Sequence, residues 1–390
     1  MNVKTENELL TIVLPERVDT NSVDGVAAEI DTILAEYSDK QLILDAAELT
    51  YISSAGLRMI LKLRKRFPEL AVLNTSSEVY DIFDMTGFTE MLRVEKAYRQ
   101  LSVDGCPIIG RGAKGIVYRY NDDTIVKVYK DNDSLPAIKR ERELARKAFV
   151  LGIPTAISYD IVKVGDRYGS VFELLEAKSY TQAIAQEENN REHYILEMAD
   201  LLRQIHSTKV DRNDMPSAEK MLSRWVNGCQ TLLPTESAEK LSRLAAEIPD
   251  TDTMLHCDFH TNNIMLQKGE TLLIDMDTLC HGHPIIELAN VHCAYIALGE
   301  VLPNIIEDFL GIPCPLAAEI WNTFLPRYLN TNDPAKIAEI EKKIEVLSYA
   351  RTLRHFAGRL DIGGDSFKQA IAHYQNKLVS LLDQVDSLLF

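Results

Sequence analysis

A polar motif and the apolar strand beside it constrain the fold of this sequence more than any other feature. His256, Asp258 and Asn263 fit the pattern H-x-D-x-x-x-x-N, and Asp275 follows the apolar run 272–274. An ionised Asp258 can accept or orient the proton of an attacking hydroxyl. Asn263 and Asp275 carry the oxygen ligands that Mg²⁺ prefers. The spacing therefore predicts a phosphoryl-transfer site, formed where a loop meets the end of a strand.

A glycine-rich segment near residue 110 supports the same prediction. Gly110, Gly112 and Gly115 occupy the glycine positions of G-x-G-x-x-G. Glycine is needed where the backbone approaches a phosphate, because a Cβ atom would block the approach. Two β-like runs follow, and the second holds Lys127 between valines, where it can anchor the α- and β-phosphates. The motifs, in this order, predict an α+β fold with two lobes, like that of the protein kinases.

The ammonium group of Lys127 is expected to need a carboxylate that orients it. The helix after it contains two candidates, Glu141 and Glu143. Counting back from Pro154, where the next segment begins, favours Glu143. We therefore expect Glu143 to pair with Lys127 and to serve catalysis, with Glu141 as the alternative.

The run 171–175 is typical of a strand that leads into a hinge. We expect the backbone groups of Glu173 and Leu175 to bind the edge of a nucleobase. ATP is the expected nucleotide, GTP remains an alternative, and Mg²⁺ is the expected metal.

On these motifs, residues 103–330 resemble the aminoglycoside phosphotransferase and choline kinase branch of the kinase-like superfamily. The segments 201–206 (LLRQIH) and 282–289 (GHPIIELA) also match that branch, whereas Cys257 stands where the branch usually has glycine. The resemblance implies an ATP-dependent phosphotransferase that acts on an alcohol group. Asp277, near the predicted metal site, is a candidate for a further ligand.

The resemblance also implies a domain over residues 103–390. Its N-lobe is expected at about 103–178 and its C-lobe at about 179–390. Helical patterns continue to the C-terminus, so the C-lobe is expected to end in a helical extension.

The segment after Asp275 bears on the substrate. Pro284, where a helical pattern begins, lies only nine positions after Asp275 (284 − 275). Protein kinases need a long segment there as a platform for a peptide. The sequence therefore favours a small hydroxylated acceptor over a protein.

Residues 1–100 form a separate pattern of short strands and helices, which predicts a small α/β domain. The segments 17–20 (RVDT), 51–58 (YISSAGLR) and 84–88 (DMTGF) resemble a STAS domain, the fold of the anti-sigma factor antagonists. Such domains bind protein partners, and some are switched by serine phosphorylation. Ala55 occupies the switch position here. Ser53 and Ser54 directly precede it and are candidates for phosphorylation, although a helix cap is the favoured interpretation.

Composition excludes other classes of protein. The formal charge is −16, without the basic excess that nucleic-acid binding needs. The six cysteines form no Cys-x-x-Cys pair, which favours free thiols in a reducing cytoplasm. No stretch approaches the roughly 20 apolar residues of a membrane span. A cytoplasmic protein without nucleic-acid or membrane partners is expected.

Two functional hypotheses follow. The first is an enzyme that phosphorylates a small molecule, with the STAS domain as a regulator or a dock for a protein partner. The second is a signalling protein of the anti-sigma factor antagonist type, whose kinase-like domain phosphorylates a STAS serine or senses nucleotide.

Overall fold

The structure is a computed structural model, and it describes residues 1–6, 8–37, 40–112, 114–132, 134–175 and 177–390, with only the backbone of Ile362. Backbone contacts divide the chain into two units. The first contains residues 1–104 and 161–169, and the second contains residues 105–160 and 170–390. Each unit has its own apolar core.

The elements of the first unit alternate between strands and helices, as predicted. Its strands are β1 (Val3–Glu6), β2 (Leu9–Val13), β3 (Arg17–Val18), β4 (Gln41–Asp45), β5 (Tyr51–Ile52), β6 (Ala71–Thr75), β7 (Arg93–Lys96) and β8 (Arg99–Gln100). Its helices are α1 (Val23–Glu36), α2 (Ser54–Arg66), α3 (Ser77–Met85) and α4 (Phe88–Met91).

The main sheet of this unit has the order β1-β2-β4-β6-β7. The last four strands are parallel, and β1 is antiparallel to β2. Alternate residues of β2 and β4 are buried, as expected for strands with one face against a core. Helices α1 and α2 bury Ile30 and Ile60 in the same core. These contacts explain why apolar residues recur every two positions in the strands and about every 3.6 positions in the helices.

The second unit begins with a strand-rich part and continues with helices. Its strands, including β12 and β13, which partly belong to the first unit, are β9 (Ile108–Arg111), β10 (Gly115–Arg119), β11 (Thr124–Tyr129), β12 (Asp160–Val164), β13 (Arg167–Glu173), β14 (Ala177–Ser179), β15 (Met254–Leu255), β16 (Ile264–Gln267), β17 (Glu270–Leu273) and β18 (Cys280–His281). Its helices are α5 (Leu135–Val150), α6 (Tyr180–Gln186), α7 (Arg191–Ser207), α8 (Glu219–Cys229), α9 (Thr235–Ala246), α10 (Pro284–Tyr295), α11 (Asn304–Leu310), α12 (Cys314–Leu329), α13 (Pro334–Ala357) and α14 (Leu360–Leu382). Short 3-10 turns lie at Glu188–Asn190, Met276–Thr278 and Ala297–Gly299.

Antiparallel pairing joins β9 to β10 and β10 to β11. In β11, Val126 and Val128 are buried on one face and Lys127 lies half-buried on the other. A hairpin of β16 and β17 ends just before Asp275 and fixes its position. The helices α10, α12 and α13 supply the largest buried rings of the core, among them Trp321, Tyr349 and Phe356. The predicted helical extension is confirmed.

Within the described ranges, no helix is both long enough and apolar enough to cross a membrane.

Candidate active site

A half-buried lysine flanked by two carboxylates joins three elements of the second unit. Lys127 Nζ is 3.1 Å from Glu141 Oε1 and 3.1 Å from Asp275 Oδ1. Tyr129 donates a hydrogen bond of 2.9 Å to the other oxygen of Glu141. Burial disfavours the charged lysine, but the two carboxylates outweigh burial and raise the pKa of Lys127 above its ordinary value. The lysine is therefore a fixed cation that draws strand β11, helix α5 and Asp275 together.

The expectation that Glu143 pairs with Lys127 is wrong. Glu143 is exposed, and its carboxylate lies 3.0 Å from Lys147 one turn further along α5. Glu141 belongs to the buried stripe of α5, three residues after Ile138 and three before Leu144. Helical spacing was the signal that could have chosen Glu141, because distance from Pro154 does not fix which face a residue occupies.

The glycine segment connects β9 to β10. Gly112 N donates to the Gly115 carbonyl oxygen at 2.9 Å, and Lys130 Nζ donates to the Gly112 carbonyl oxygen at 2.8 Å. A Cβ at Gly115 would lie 2.6 Å from the Val128 carbonyl oxygen, so only glycine fits there. A Cβ at Gly110 would make an ordinary contact of 3.5 Å with Val117. Ala113, part of the predicted motif, lies outside the described residues.

A second ion pair joins this segment to the strand end that carries Asp275. Lys114 pairs with Asp277, whose side chain is largely shielded from solvent. Oxygen atoms of Glu141, Asp275 and Asp277 lie within 4.8 Å of one another. Carboxylate oxygens are the donors that Mg²⁺ and Ca²⁺ prefer, so the donor set fits a hard divalent cation.

The predicted polar loop surrounds Asp258. Asn263 Nδ2 donates to the backbone oxygen of Asp258 at 2.9 Å and to its carboxylate at 3.3 Å. His260 Nε2 lies 3.6 Å from the same carboxylate. Burial alone would raise the pKa of Asp258, but His260, His256 and Arg351 offset it and hold the pKa at about 2. Asp258 is consequently ionised at neutral pH.

The backbone of this loop is held by a residue that was not singled out from the sequence. The wholly buried Glu287 of α10 accepts hydrogen bonds from the backbone N–H groups of His256, at 2.8 Å, and Cys257, at 2.6 Å. His206 of α7 lies 2.8 Å from the same carboxylate. Cys257 has a positive φ of 64°, a conformation that glycine adopts more readily. Glu287 therefore stabilises the turn on which Asp258 depends.

The predicted hinge follows β13. Leu174 N donates to the Asp123 carbonyl oxygen at 2.7 Å. A cavity of about 640 Å³ lies beside it, lined in part by Leu175 and Leu266. Glu173 is exposed and is not among the residues that line this cavity. The hinge backbone and the cavity are thus adjacent, which is compatible with nucleobase binding.

The candidate serines lie in the first unit. Ser53 is the N-cap of α2, and its hydroxyl accepts a hydrogen bond of 3.2 Å from Ala55 N. Ser54 is exposed at the first position of the helix. A Cβ at Gly56 would lie 2.7 Å from the Val18 carbonyl oxygen, which explains the glycine of this segment. The capping interpretation accounts for Ser53, and Ser54 has no such role.

Comparison with known families gives two matches. The model of the phosphotransferase enzyme family matches residues 106–317, which is more than half of the chain. The STAS domain model matches residues 1–101. The two-domain organisation expected from the motifs is therefore confirmed.

Solved structures with a similar fold include phosphotransferases. The gentamicin complex of APH(2'')-IIa is 17% identical with a TM-score of 0.44, and the match covers 81% of this chain and 99% of that chain. ADP-bound APH(2'')-Ib is 14% identical with a TM-score of 0.47, with coverage of 77% and 98%. A macrolide 2'-phosphotransferase from Brachybacterium faecium is 15% identical with a TM-score of 0.40, with coverage of 70% and 95%. The family assignment comes from the sequence models and not from these distant likenesses.

Proposed function

The chain belongs to the phosphotransferase enzyme family, and we propose that it transfers the γ-phosphoryl group of ATP or GTP to a hydroxyl of a small molecule. One observation carries the proposal: the half-buried Lys127 lies 3.1 Å from both Glu141 and Asp275. A lysine held in this way binds the phosphates of a nucleotide as a fixed charge.

The remaining residues have distinct roles in this proposal. The backbone at Gly112 and Gly115 approaches the phosphates, and the hinge at Leu174 and Leu175 binds the nucleobase. Mg²⁺ would be held by Asp275 and Asp277, with Asn263 as a further ligand, and it would neutralise charge on the phosphates. The carboxylate of Asp258 accepts a hydrogen bond from the hydroxyl of the acceptor molecule.

The low pKa of Asp258, about 2, defines what that residue can do. So weak a base does not remove the proton from a free alcohol. It accepts a hydrogen bond from the hydroxyl, orients the oxygen and takes the proton as the bond to phosphorus forms. This role suits the loose transition state of phosphoryl transfer, in which the nucleophile bears little charge.

The segment after Asp275 supports a small acceptor. It forms a 3-10 turn at Met276–Thr278 and the short strand β18, which pairs with β15. Helix α10 then starts at Pro284, with the His283 side chain accepting from Ile285 N at 3.3 Å. No peptide platform fits in these eight fully described residues, 276–283.

The test is release of ADP or GDP by the full chain with a panel of hydroxylated small molecules. Asp258→Asn keeps the shape of the side chain and removes its charge, so turnover should fall by about 100-fold or more. Asp383→Asn, at an exposed position at the end of α14, serves as the matched control. Full turnover by Asp258→Asn would reject the mechanism.

A second function is supported by the exposure of Ser54 at the first turn of α2. Phosphate at that position would meet free backbone N–H groups and the positive end of the helix dipole. The signalling hypothesis therefore predicts that incubation with Mg²⁺ and ATP adds one phosphoryl group to Ser54. Intact mass spectrometry of wild type, Ser54→Ala and Asp258→Asn decides it, since only wild type should gain the mass.

A further inference from the structure

A cluster of basic residues lies at the end of α13. Arg351, Arg354 and His355 follow one another at helical spacing, and Arg359 comes just after the helix. Residues three and four apart lie on one face of a helix. Arg359 Nη1 lies 2.6 Å from His355 Nδ1, which extends the cluster by one turn. The whole chain carries a charge of −16, so this local excess of positive charge contrasts with the rest of the sequence.

The arginines of this cluster lack anionic partners in the protein. Within the described part of the chain, none of the three guanidinium groups has a carboxylate oxygen within 4.0 Å. Arg354 instead packs its aliphatic stem against Gly228, where a Cβ would lie 2.6 Å from its Cγ. Burial first, and then the charges of Arg359, Arg351 and Arg354, lower the pKa of His355 to about 4. At neutral pH the cluster is thus three guanidinium groups around a neutral imidazole. Guanidinium groups that lie together without a counterion attract an anion.

Arg351 is the member of the cluster that lies nearest to the surroundings of Asp258, since its charge acts on that carboxylate. Arg351 Nη1 contacts Cys293 Sγ at 2.5 Å, which places the guanidinium against helix α10. Two residues further along α10, the Tyr295 hydroxyl accepts a hydrogen bond of 2.8 Å from Thr261 N in the loop of Asp258. The charge of Arg351 is also one of those that act on Asp258. Helix α10 thus contacts both Arg351 and the loop of Asp258, on different sides of the helix.

We infer that Arg351, with Arg354, His355 and Arg359, binds an oxyanion carried by the acceptor, so that the acceptor is a hydroxylated compound with a carboxylate or phosphate group. The inference rests on the proposed function, because it assigns the acceptor of that reaction. Arginine suits this role, since its planar guanidinium donates paired hydrogen bonds to carboxylate and phosphate oxygens. A polycationic amino sugar would be repelled by the same cluster. The anionic group would bind at α13 while the hydroxyl reaches Asp258.

The first experiment tests the anion site without catalysis. Inorganic phosphate is titrated into the full chain while the imidazole of His355 is followed by NMR, with His355→Gln identifying the signal. Bound phosphate should raise the pKa of His355, because it offsets the charges of the neighbouring arginines. Arg351→Gln should weaken phosphate binding about 10-fold or more, whereas Lys336→Gln, at the other end of α13, should leave it unchanged. Equal binding by wild type and Arg351→Gln would overturn the inference.

The second experiment compares acceptors that differ only in charge: a sugar phosphate, the parent sugar and the amino sugar. The anionic member should have the lowest KM, and Arg351→Gln should raise that KM by about 10- to 100-fold with the KM for ATP unchanged. A higher KM for ATP alone would place the γ-phosphate at Arg351 and reject an acceptor site. Preference for the amino sugar would also reject it. If no class of acceptor releases ADP, the proposed function fails, while the phosphate titration still decides whether the cluster binds anions.

Discussion

His206 Nε2 lies 2.8 Å from a carboxylate oxygen of Glu287, and both side chains are buried. The pair joins α7 to α10, and the same carboxylate accepts from two backbone N–H groups of the loop that carries Asp258. A buried carboxylate with three donors is stabilising only while all of them remain in place.

Glu287→Gln should therefore destabilise the second unit. The glutamine amide accepts hydrogen bonds only at its oxygen. Its NH2 group is a donor and would face backbone N–H groups and a histidine that also donate. We expect a loss of about 3 kcal/mol in the free energy of unfolding. Urea unfolding followed by tryptophan fluorescence measures it, because the two tryptophans, Trp225 and Trp321, both lie in the second unit. Glu239→Gln, at an exposed position of α9, is the control, and an equal midpoint for both variants would contradict the prediction.

Glu141→Gln and Glu143→Gln form a matched pair on one helix. Glu141→Gln removes one of the two charges that orient Lys127, so kcat/KM for the nucleotide should fall about 10- to 100-fold. Glu143→Gln removes only an exposed pair with Lys147 and should leave kcat/KM within about 2-fold of wild type. Steady-state kinetics separates the two, and the reverse order of effects would restore Glu143 as the partner of Lys127.

Gly115→Ala should weaken both the sheet and nucleotide binding. The new Cβ would lie 2.6 Å from the backbone oxygen of Val128, so β10 and β11 must separate locally. Overpacking of this kind costs about 1–3 kcal/mol. Gly112→Ala is the control, since its Cβ would meet nothing closer than 3.9 Å. Thermal unfolding should be shifted by the first change and not by the second, so Gly112→Ala is a control for stability alone. Nucleotide titration should be shifted by Gly115→Ala.

Glu345 makes the stability of the second unit depend on pH. Burial and the neighbouring carboxylates of Glu341 and Glu300 raise the pKa of Glu345 from 4.5 to about 7. A group with a raised pKa in the folded state favours folding fully below pH 4.5, and this contribution is lost as the pH rises through about 7. The free energy of unfolding of Glu345→Gln, relative to that of wild type, should therefore rise as the pH rises from 4.5 to 7, by about 2–3 kcal/mol. Urea unfolding at pH 5 and pH 8 measures the change. A difference between the two proteins that does not grow with pH would show that the Glu345 carboxyl is not the titrating group.

The sequence was most informative where chemistry requires a particular residue at a fixed spacing. Lys127 and Asp275 were predicted as site residues because a lysine within an apolar strand and an aspartate at a strand end have few structural explanations. Asp258 was predicted from the pattern H-x-D-x-x-x-x-N. Local spacing could also have chosen Glu141 over Glu143, since the buried stripe of α5 is visible in the sequence.

Other contacts depend on the tertiary fold. Glu287 lies 31 residues from His256 along the chain, and nothing local shows that its carboxylate meets that backbone. Arg351 lies 58 residues from Cys293, and a basic segment at the end of a helix usually indicates only a solvated face. Such contacts follow from packing of α7, α10 and α13, which the helical periods alone do not determine.

The short path from Asp275 to α10 has a consequence for control. In protein kinases, a segment at this place orders on phosphorylation and thereby assembles the site. Here residues 276–283 already form a 3-10 turn, a strand paired with β15 and the N-cap of α10. Lys127 is already in contact with Glu141 and Asp275 in this conformation. Under the proposed function, turnover should therefore depend on the supply of substrates and not on phosphorylation of residues 276–283.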